Sequence, residues 1–232
     1  MFMRILHVAD IHYRLDWFDW ISQQAGNYDV LVVAGDLLNM DSLEATPLPQ
    51  QAHIVCDWLK TLPNPAVVCT GNHDVWLTEA RVKTDIFAEG GWLQSCKREG
   101  LVVDEQDAAI YSEHFAAVKW GCADWPDSTT IVVCHAPPEW TRISKNSKGV
   151  DWGNFEISVR IQEKHPKYVL SGHVHQAMDW MATEGASYCF NPGFAWKALV
   201  PNHIIIDTTK KIACWHSNSR GRESRRLDDS RR

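Results

Sequence analysis

The sequence predicts an α/β protein in which a mixed sheet is flanked by helices, and three observations carry that prediction. Short Val-, Ile- and Leu-rich runs recur with polar turns behind them, stretches with helical spacing lie between the early runs, and two later regions read as successive strands joined by tight turns. Strand, helix, strand implies parallel pairing, and the turn-linked strands add antiparallel hairpins. A central mixed sheet satisfies this pattern, and so does a β-sandwich of two mixed sheets with helices outside.

In chain order, "RILHVA" is a strand and "LDWFDWISQQ" a helix whose Trp17 and Trp20 face the core. "DVLVVA" is the second strand, and "PQQAHIVCDWLKTL" the second helix, with Trp58 inward. "AVVC" is the third strand, and "TEARVKTDIFAEG" has the spacing of a third helix. Residues 101–121 and 186–216 are the hairpin regions, while "TIVVC" and "KYVLS" are further strands with helical "FEISVRIQEKH" between them. No repeat or linker divides the chain, so residues 1–216 are expected to form a single domain.

The 232 residues include 45% hydrophobic side chains, enough to fill a substantial core. There is no apolar run of membrane-spanning length, and "MFMRILHVAD" enters a strand directly, so a cytoplasmic protein with no membrane partner is expected. Seven scattered cysteines without a CxxC suggest reduced core residues rather than a disulfide framework or zinc ribbon. The formal charge is −6, but residues 217–232 hold six Arg against three acids; that segment is +3 and the body −9. An acidic body disfavours a long nucleic-acid groove, and the polar Arg-rich tail is expected to be disordered.

Five apolar runs end in metal-binding residue types. "HVADIH" ends in Asp10 and His12, "VVAGD" in Asp36, "VVCTGNHD" in Asn72, His73 and Asp74, "IVVCH" in His135, and "VLSGHVH" in His173 and His175. Functional groups of open α/β sheets gather beyond the carboxyl ends of the strands, so these tips can meet at one rim. Carboxylate, amide and imidazole donors without thiolate suit Mn, Fe or Zn. Seven candidate ligands (Asp10, His12, Asp36, Asn72, His135, His173 and His175) exceed what one four-coordinate ion uses, which implies two metals sharing a carboxylate. Gly35, Gly71 and Gly172 precede ligands, where tight turns or close backbone approach are needed.

With D-x-H, GD, GNHD, H and G-H-x-H in order over residues 10–175, the sequence resembles the calcineurin-like metallophosphoesterase superfamily. The resemblance implies a four-layer α/β/β/α fold and two divalent or trivalent metal ions, Mn first and Fe or Zn next. It implies that Asp10, His12, Asp36 and His175 hold one metal and Asp36, Asn72, His135 and His173 the other, with Asp36 the bridge. His73 is then the group that protonates or stabilises the leaving oxygen, oriented by Asp74. Hydroxide held between the metals would attack phosphorus in line.

The motif details differ from protein Ser/Thr phosphatases, which show "DIHG", "GDYVDRG" and "RGNHE" where this chain has "DIHY", "AGDLLNM" and "TGNHD". The expected activity is hydrolysis of a small phosphodiester, a cyclic nucleotide among the candidates, or of a phosphomonoester. A nuclease acting on DNA or RNA and a non-catalytic metal-binding scaffold are the alternatives. Trp125, Trp140, Trp152 and Trp196 lie in loops near the motif ends, where aromatics either stack a nucleobase or cover apolar edges. Residues 136–154, with Arg142, Lys145 and Lys148, follow His135 and form either a phosphate-attracting rim or a solvated basic loop. "NPG" at 191–193 is expected to be a turn that supports the rim.

Overall fold

The structure is a computed structural model and describes residues 3–40, 46–75 and 91–227. Its described strands are β1 (Arg4–Val8), β2 (Val30–Ala34), β3 (Ala66–Cys69), β4 (Leu101–Val102), β5 (Gln106–Ile110), β6 (Glu113–Val118), β7 (Ile131–Cys134), β8 (Tyr168–Leu170), β9 (Met181–Glu184), β10 (Ser187–Phe190), β11 (His203–Asp207), β12 (Ile212–Ser217) and β13 (Gly221–Arg226). The helices are α1 (Leu15–Ala25), α2 (Leu48–Thr61) and α3 (Phe155–Lys164). The helix expected over "TEARVKTDIFAEG" lies outside the described residues.

Two mixed sheets form, one in the order β13-β12-β11-β1-β2-β3-β4 and the other β5-β6-β7-β8-β10-β9. Strand alternation explains how four layers stack. From β2 and β3, Val30, Val32, Ala34, Val67 and Cys69 point into a core shared with Ile131, Val133 and Leu170 of the other sheet. The alternate residues Leu31, Val33 and Val68 pack outward on Trp17, Ile21, Val55 and Leu59 of α1 and α2. On the far side, Val132, Cys134 and Val169 meet Ile157 and Ile161 of α3. Helices, sheet, sheet and helix follow one another, as the sequence leads one to expect.

The pairing directions put the site at one end. β1, β2 and β3 are mutually parallel, and so are β6, β7 and β8, so their carboxyl ends share a rim in each sheet. α3 shows why the chain turns back where it does: Asn154 Oδ1 accepts from Ile157 N–H at its start, and left-handed His165 ends it.

The expectations need four corrections. Residues 101–121 are not one antiparallel unit, because β4 joins β3 in parallel and only β5 and β6 form a hairpin. Likewise 186–216 is divided between sheets, with β10 beside β8 and β11 beside β1. Within the Arg-rich segment, β13 pairs along the whole of β12, so backbone hydrogen bonding outweighs the polar composition of those residues. Cysteine usage also differs in part: Cys56 and Cys96 form a disulfide joining α2 to the 3-10 turn at Leu93–Ser95, while Cys69, Cys134 and Cys189 are buried thiols. Among the described residues, no helix is long and apolar enough to cross a membrane.

Candidate metal centre

The tips of β1, β2, β3, β7 and β8 converge where the two sheets meet. One group comprises Asp10, His12, Asp36 and His175, whose potential ligand atoms lie within 4.8 Å of one another. His12 Nε2 and His175 Nε2 face each other at 3.1 Å. Asp10 Oδ1 is 3.5 Å from His175 Nε2, and Asp36 Oδ2 is 3.8 Å from His12 Nε2.

Asp36 Oδ2 also faces a second group. It lies 3.2 Å from His135 Nε2, which is itself 3.2 Å from Asn72 Oδ1. His135 Nδ1 is 2.8 Å from the Ala34 carbonyl, an acceptor, so Nδ1 carries the proton and donates. Nε2 is thereby left as the nitrogen directed at Asp36 and Asn72. The His173 ring stands 5.0 Å from that of His135, and its backbone N–H donates to both oxygens of Asp10 at 3.1 and 3.2 Å.

The backbone is bent to make this possible. Asp10, His12, Asp36 and His173 all have positive φ, between 48° and 70°, a region that non-glycine residues seldom occupy. Hydrogen bonds between the tips hold them there, with Asp10 N–H on Gly35 O at 3.0 Å and His12 N–H on Asp36 O at 2.8 Å. Gly71 allows the closest approach: a Cβ on it would lie 2.2 Å from Asp36 Oδ1 and 2.5 Å from the Asp36 backbone nitrogen.

Electrostatically the site favours cations. Burial opposes ionisation of Asp36, yet His135 and His12 hold its carboxyl far below the usual range. Burial likewise disfavours a charged His135, but Asp36 lifts it to about 9. Asp10 and His175 form a second such pair: burial opposes both charges, and each still favours the other's charged form. Burial, then His135, pushes His173 down to about 4. Facing acceptors of this kind are stable with either a proton or a metal ion between them, and hard oxygen with imidazole fits Mn, Fe or Zn.

The two other expected residues, His73 and Asp74, follow Asn72 in the loop after β3. His73 lines the cleft, its ring 4.7 Å from that of His12, and its backbone N–H donates to Asp36 Oδ1 at 2.9 Å. Asp74 is fully buried, and its carboxyl oxygens accept from Leu38 N–H and Gly71 N–H, both at 2.8 Å. These bonds tie the loop after β2 to the loop after β3. Burial and then Asp36 raise the Asp74 pKa to about 8.

The cleft over the centre has a volume of about 490 Å³, and Lys148, Trp152 and Gln176 are on its walls. Trp152 is 54% exposed, whereas Trp125 belongs to the core under α3. Trp140 and Trp196 are exposed, and the "NPG" turn is anchored by Asn191 Nδ2 to the Ile143 and Val174 carbonyls. Two site aromatics carry no mark in the sequence motifs. Trp120 packs 5.5 Å from His135 and 5.3 Å from His173, and Phe194 packs 5.1 Å from His12 and 4.6 Å from His175. Trp120 follows β6, whose parallel pairing with β7 is the available signal.

Fold and centre together define a metallophosphoesterase architecture. The family pattern of the calcineurin-like phosphoesterases matches residues 3–177, and the chain belongs to that family. Among proteins of known description, it is 26% identical over 159 residues to a probable cyclic nucleotide phosphodiesterase of a Synechococcus strain, covering 64% of this chain and 58% of that relative. The chain thus matches under two thirds of the relative's length. Among solved structures, the Thermus thermophilus protein TT1561 superposes with a TM-score of 0.59 at 15% identity, covering 98% of this chain and all of that one. Purple acid phosphatase PPD1 of yellow lupin gives 0.57 at 12% identity over 97% of this chain and 53% of its own. The E. coli phosphoesterase Yfce gives 0.50 at 15% identity over 97% and 100%. At these identities the likeness concerns the fold.

Proposed function

We propose that the chain is a dinuclear, metal-dependent phosphohydrolase acting on a small phosphodiester, with a cyclic nucleotide the first candidate by analogy with the Synechococcus relative. The observation that carries the reading is the position of Asp36 Oδ2, which lies 3.8 Å from His12 Nε2 and 3.2 Å from His135 Nε2. In this reading Asp10, His12, Asp36 and His175 hold one cation, and Asp36, Asn72, His135 and His173 the second. When bound, the cations, Mn²⁺ in this proposal, polarise the phosphoryl group and supply a strong nucleophile near neutral pH.

The chain's own groups do the rest. His73, on the cleft wall beside His12, holds or delivers a proton at the leaving oxygen. Lys148 adds positive charge where the phosphoryl oxygens sit, and Trp152 offers an aromatic face to the remainder of the substrate. Trp120 and Phe194 fix the imidazole planes and exclude water behind them.

The test is initial-rate hydrolysis of bis-p-nitrophenyl phosphate and p-nitrophenyl phosphate by metal-stripped protein resupplied with Mn²⁺, beside Asp36→Asn. Metal-dependent turnover, faster on the diester and lost in the variant, is expected. Two bound metals per chain without turnover of either compound would overturn the reading.

A further inference from the structure

A second cleft, of about 740 Å³, opens beside the metal centre and shares Ser147, His175 and Gln176 with it. The two clefts are thus neighbours at His175, the border that a substrate with its phosphoryl group over the metals would cross to reach this space. The chemistry there differs from that of the centre. Its walls carry two arginines, Arg142 and Arg220, and the aromatics Trp196 and Trp215. Asp179 is the one acid among its described lining residues, and Arg225 pairs with it at 2.7 Å while Arg142 Nε lies 3.5 Å away. The balance of charge in the cleft is positive.

Arg220 is placed by the turn between β12 and β13. Ser217 Oγ accepts from the backbone N–H groups of Ser219 and Arg220, both at 3.3 Å, and the guanidinium lies 5.8 Å from the centre of the Trp215 ring. An exposed guanidinium backed by an aromatic face is suited to a phosphate oxygen pair, and Trp196, 61% exposed, provides a stacking surface on the same cleft. Arg142 already has Asp179 at 3.5 Å, so Arg220 is the guanidinium of this cleft that a second phosphate would engage.

Resting on the phosphodiesterase reading, we infer that this cleft is a subsite for the non-reacting half of the substrate, and that it selects diesters bearing a second phosphate group on a nucleoside-like body. Contacts remote from the reacting bond are a general means of raising selectivity. The β13 turn, in the segment whose composition suggests disorder, then has a role in substrate choice.

The experiment compares thymidine 5′-(p-nitrophenyl phosphate) with its 3′-phosphorylated counterpart, with bis-p-nitrophenyl phosphate run alongside. The 3′-phosphate should raise kcat/KM by about tenfold or more in the wild type, the size of a charge-assisted hydrogen bond. Arg220→Gln should bring the ratio close to one, chiefly through KM. Arg222→Gln removes the same charge from exposed β13 outside the cleft, and it should keep the wild-type ratio. A wild-type ratio of one or below, or a ratio that survives Arg220→Gln, overturns the subsite while leaving the phosphodiesterase reading intact. Equal losses in the two arginine variants would reduce it to a general field effect and overturn it as well. Absence of turnover on all three compounds would instead reject the underlying activity, and the subsite with it.

Discussion

His135 Nε2 lies 3.2 Å from Asp36 Oδ2, while its other ring nitrogen donates to the Ala34 carbonyl. That arrangement fixes the tautomer and directs a basic nitrogen at a carboxylate, which requires a proton or a cation between them. His12 Nε2 lies 3.8 Å from the same oxygen, and the proposed dinuclear centre makes Asp36 a member of both ligand groups. Asp36→Asn is therefore expected to weaken Mn²⁺ binding at both positions by at least about 100-fold. Metal content after equilibrium dialysis at graded Mn²⁺ measures this, and loss of one equivalent with the other retained would contradict the shared role.

Gly71→Ala should damage the same carboxylate without removing it. The added Cβ would lie 2.2 Å from Asp36 Oδ1 and 2.5 Å from its backbone nitrogen, so the loop or the carboxylate must shift. About tenfold weaker Mn²⁺ binding is expected, comparable with the loss of a group supporting a ligand. Gly26→Ala is the control, because nothing lies within 4 Å of its Cβ position and its φ is −62°. Equal affinity in the two variants would reject the argument.

His73→Ala should keep both metals and lose turnover, by about 10²- to 10⁴-fold on an alkyl diester. The loss should shrink for p-nitrophenyl esters, whose leaving group needs little help from an acid. Steady-state rates on a leaving-group series, with metal content measured in parallel, decide it. A loss independent of leaving group would count against His73 as the acid.

The site is legible in the sequence because each motif follows a strand buried on both faces, and parallel pairing carries such tips to one rim. Asp10, Asp36 and His135 need no more than that. Trp120 escapes such a reading because β6 looks like one arm of a hairpin, whereas its other edge pairs in parallel with β7. Phe194 escapes it for a different reason: the chain passes from β10 in one sheet to β11 in the other, and no local period records that crossing. The order of β13 is hidden by composition. An edge strand is held by backbone bonds to β12 and contributes little apolar area, so its sequence looks like solvent.

Asp74 is expected from the motif to orient His73, and its observed partners suggest a different experiment. Its two oxygens accept from Leu38 N–H and Gly71 N–H in a fully buried position. Asparagine supplies one acceptor oxygen and sets an NH₂ against the other donor. Asp74→Asn should thus destabilise the protein by about 1–3 kcal/mol, measured by urea denaturation. An unchanged midpoint and slope would show that these two bonds do not hold the loops.

His7 gives the clearest dependence on pH. It is on the inner face of β1, fully buried between the sheets, and burial lowers its pKa to about 3, with Ser171 and Asp10 opposing. In the unfolded chain the imidazole returns to its ordinary value near 6.5. Below that pH the unfolded state takes up a proton that the native state refuses, so stability is full above pH 6.5 and falls as the pH drops toward 3. The slope for one such group is about 1.4 kcal/mol per pH unit, or about 2 kcal/mol between pH 6.5 and 5. His7→Gln removes the titration. Urea curves for both metal-stripped proteins at pH 7, 6 and 5 should show the wild-type advantage shrinking by that amount, since every other histidine contributes equally to both. Parallel stability profiles would mean that His7 is protonated in the native core or already shielded in the unfolded chain.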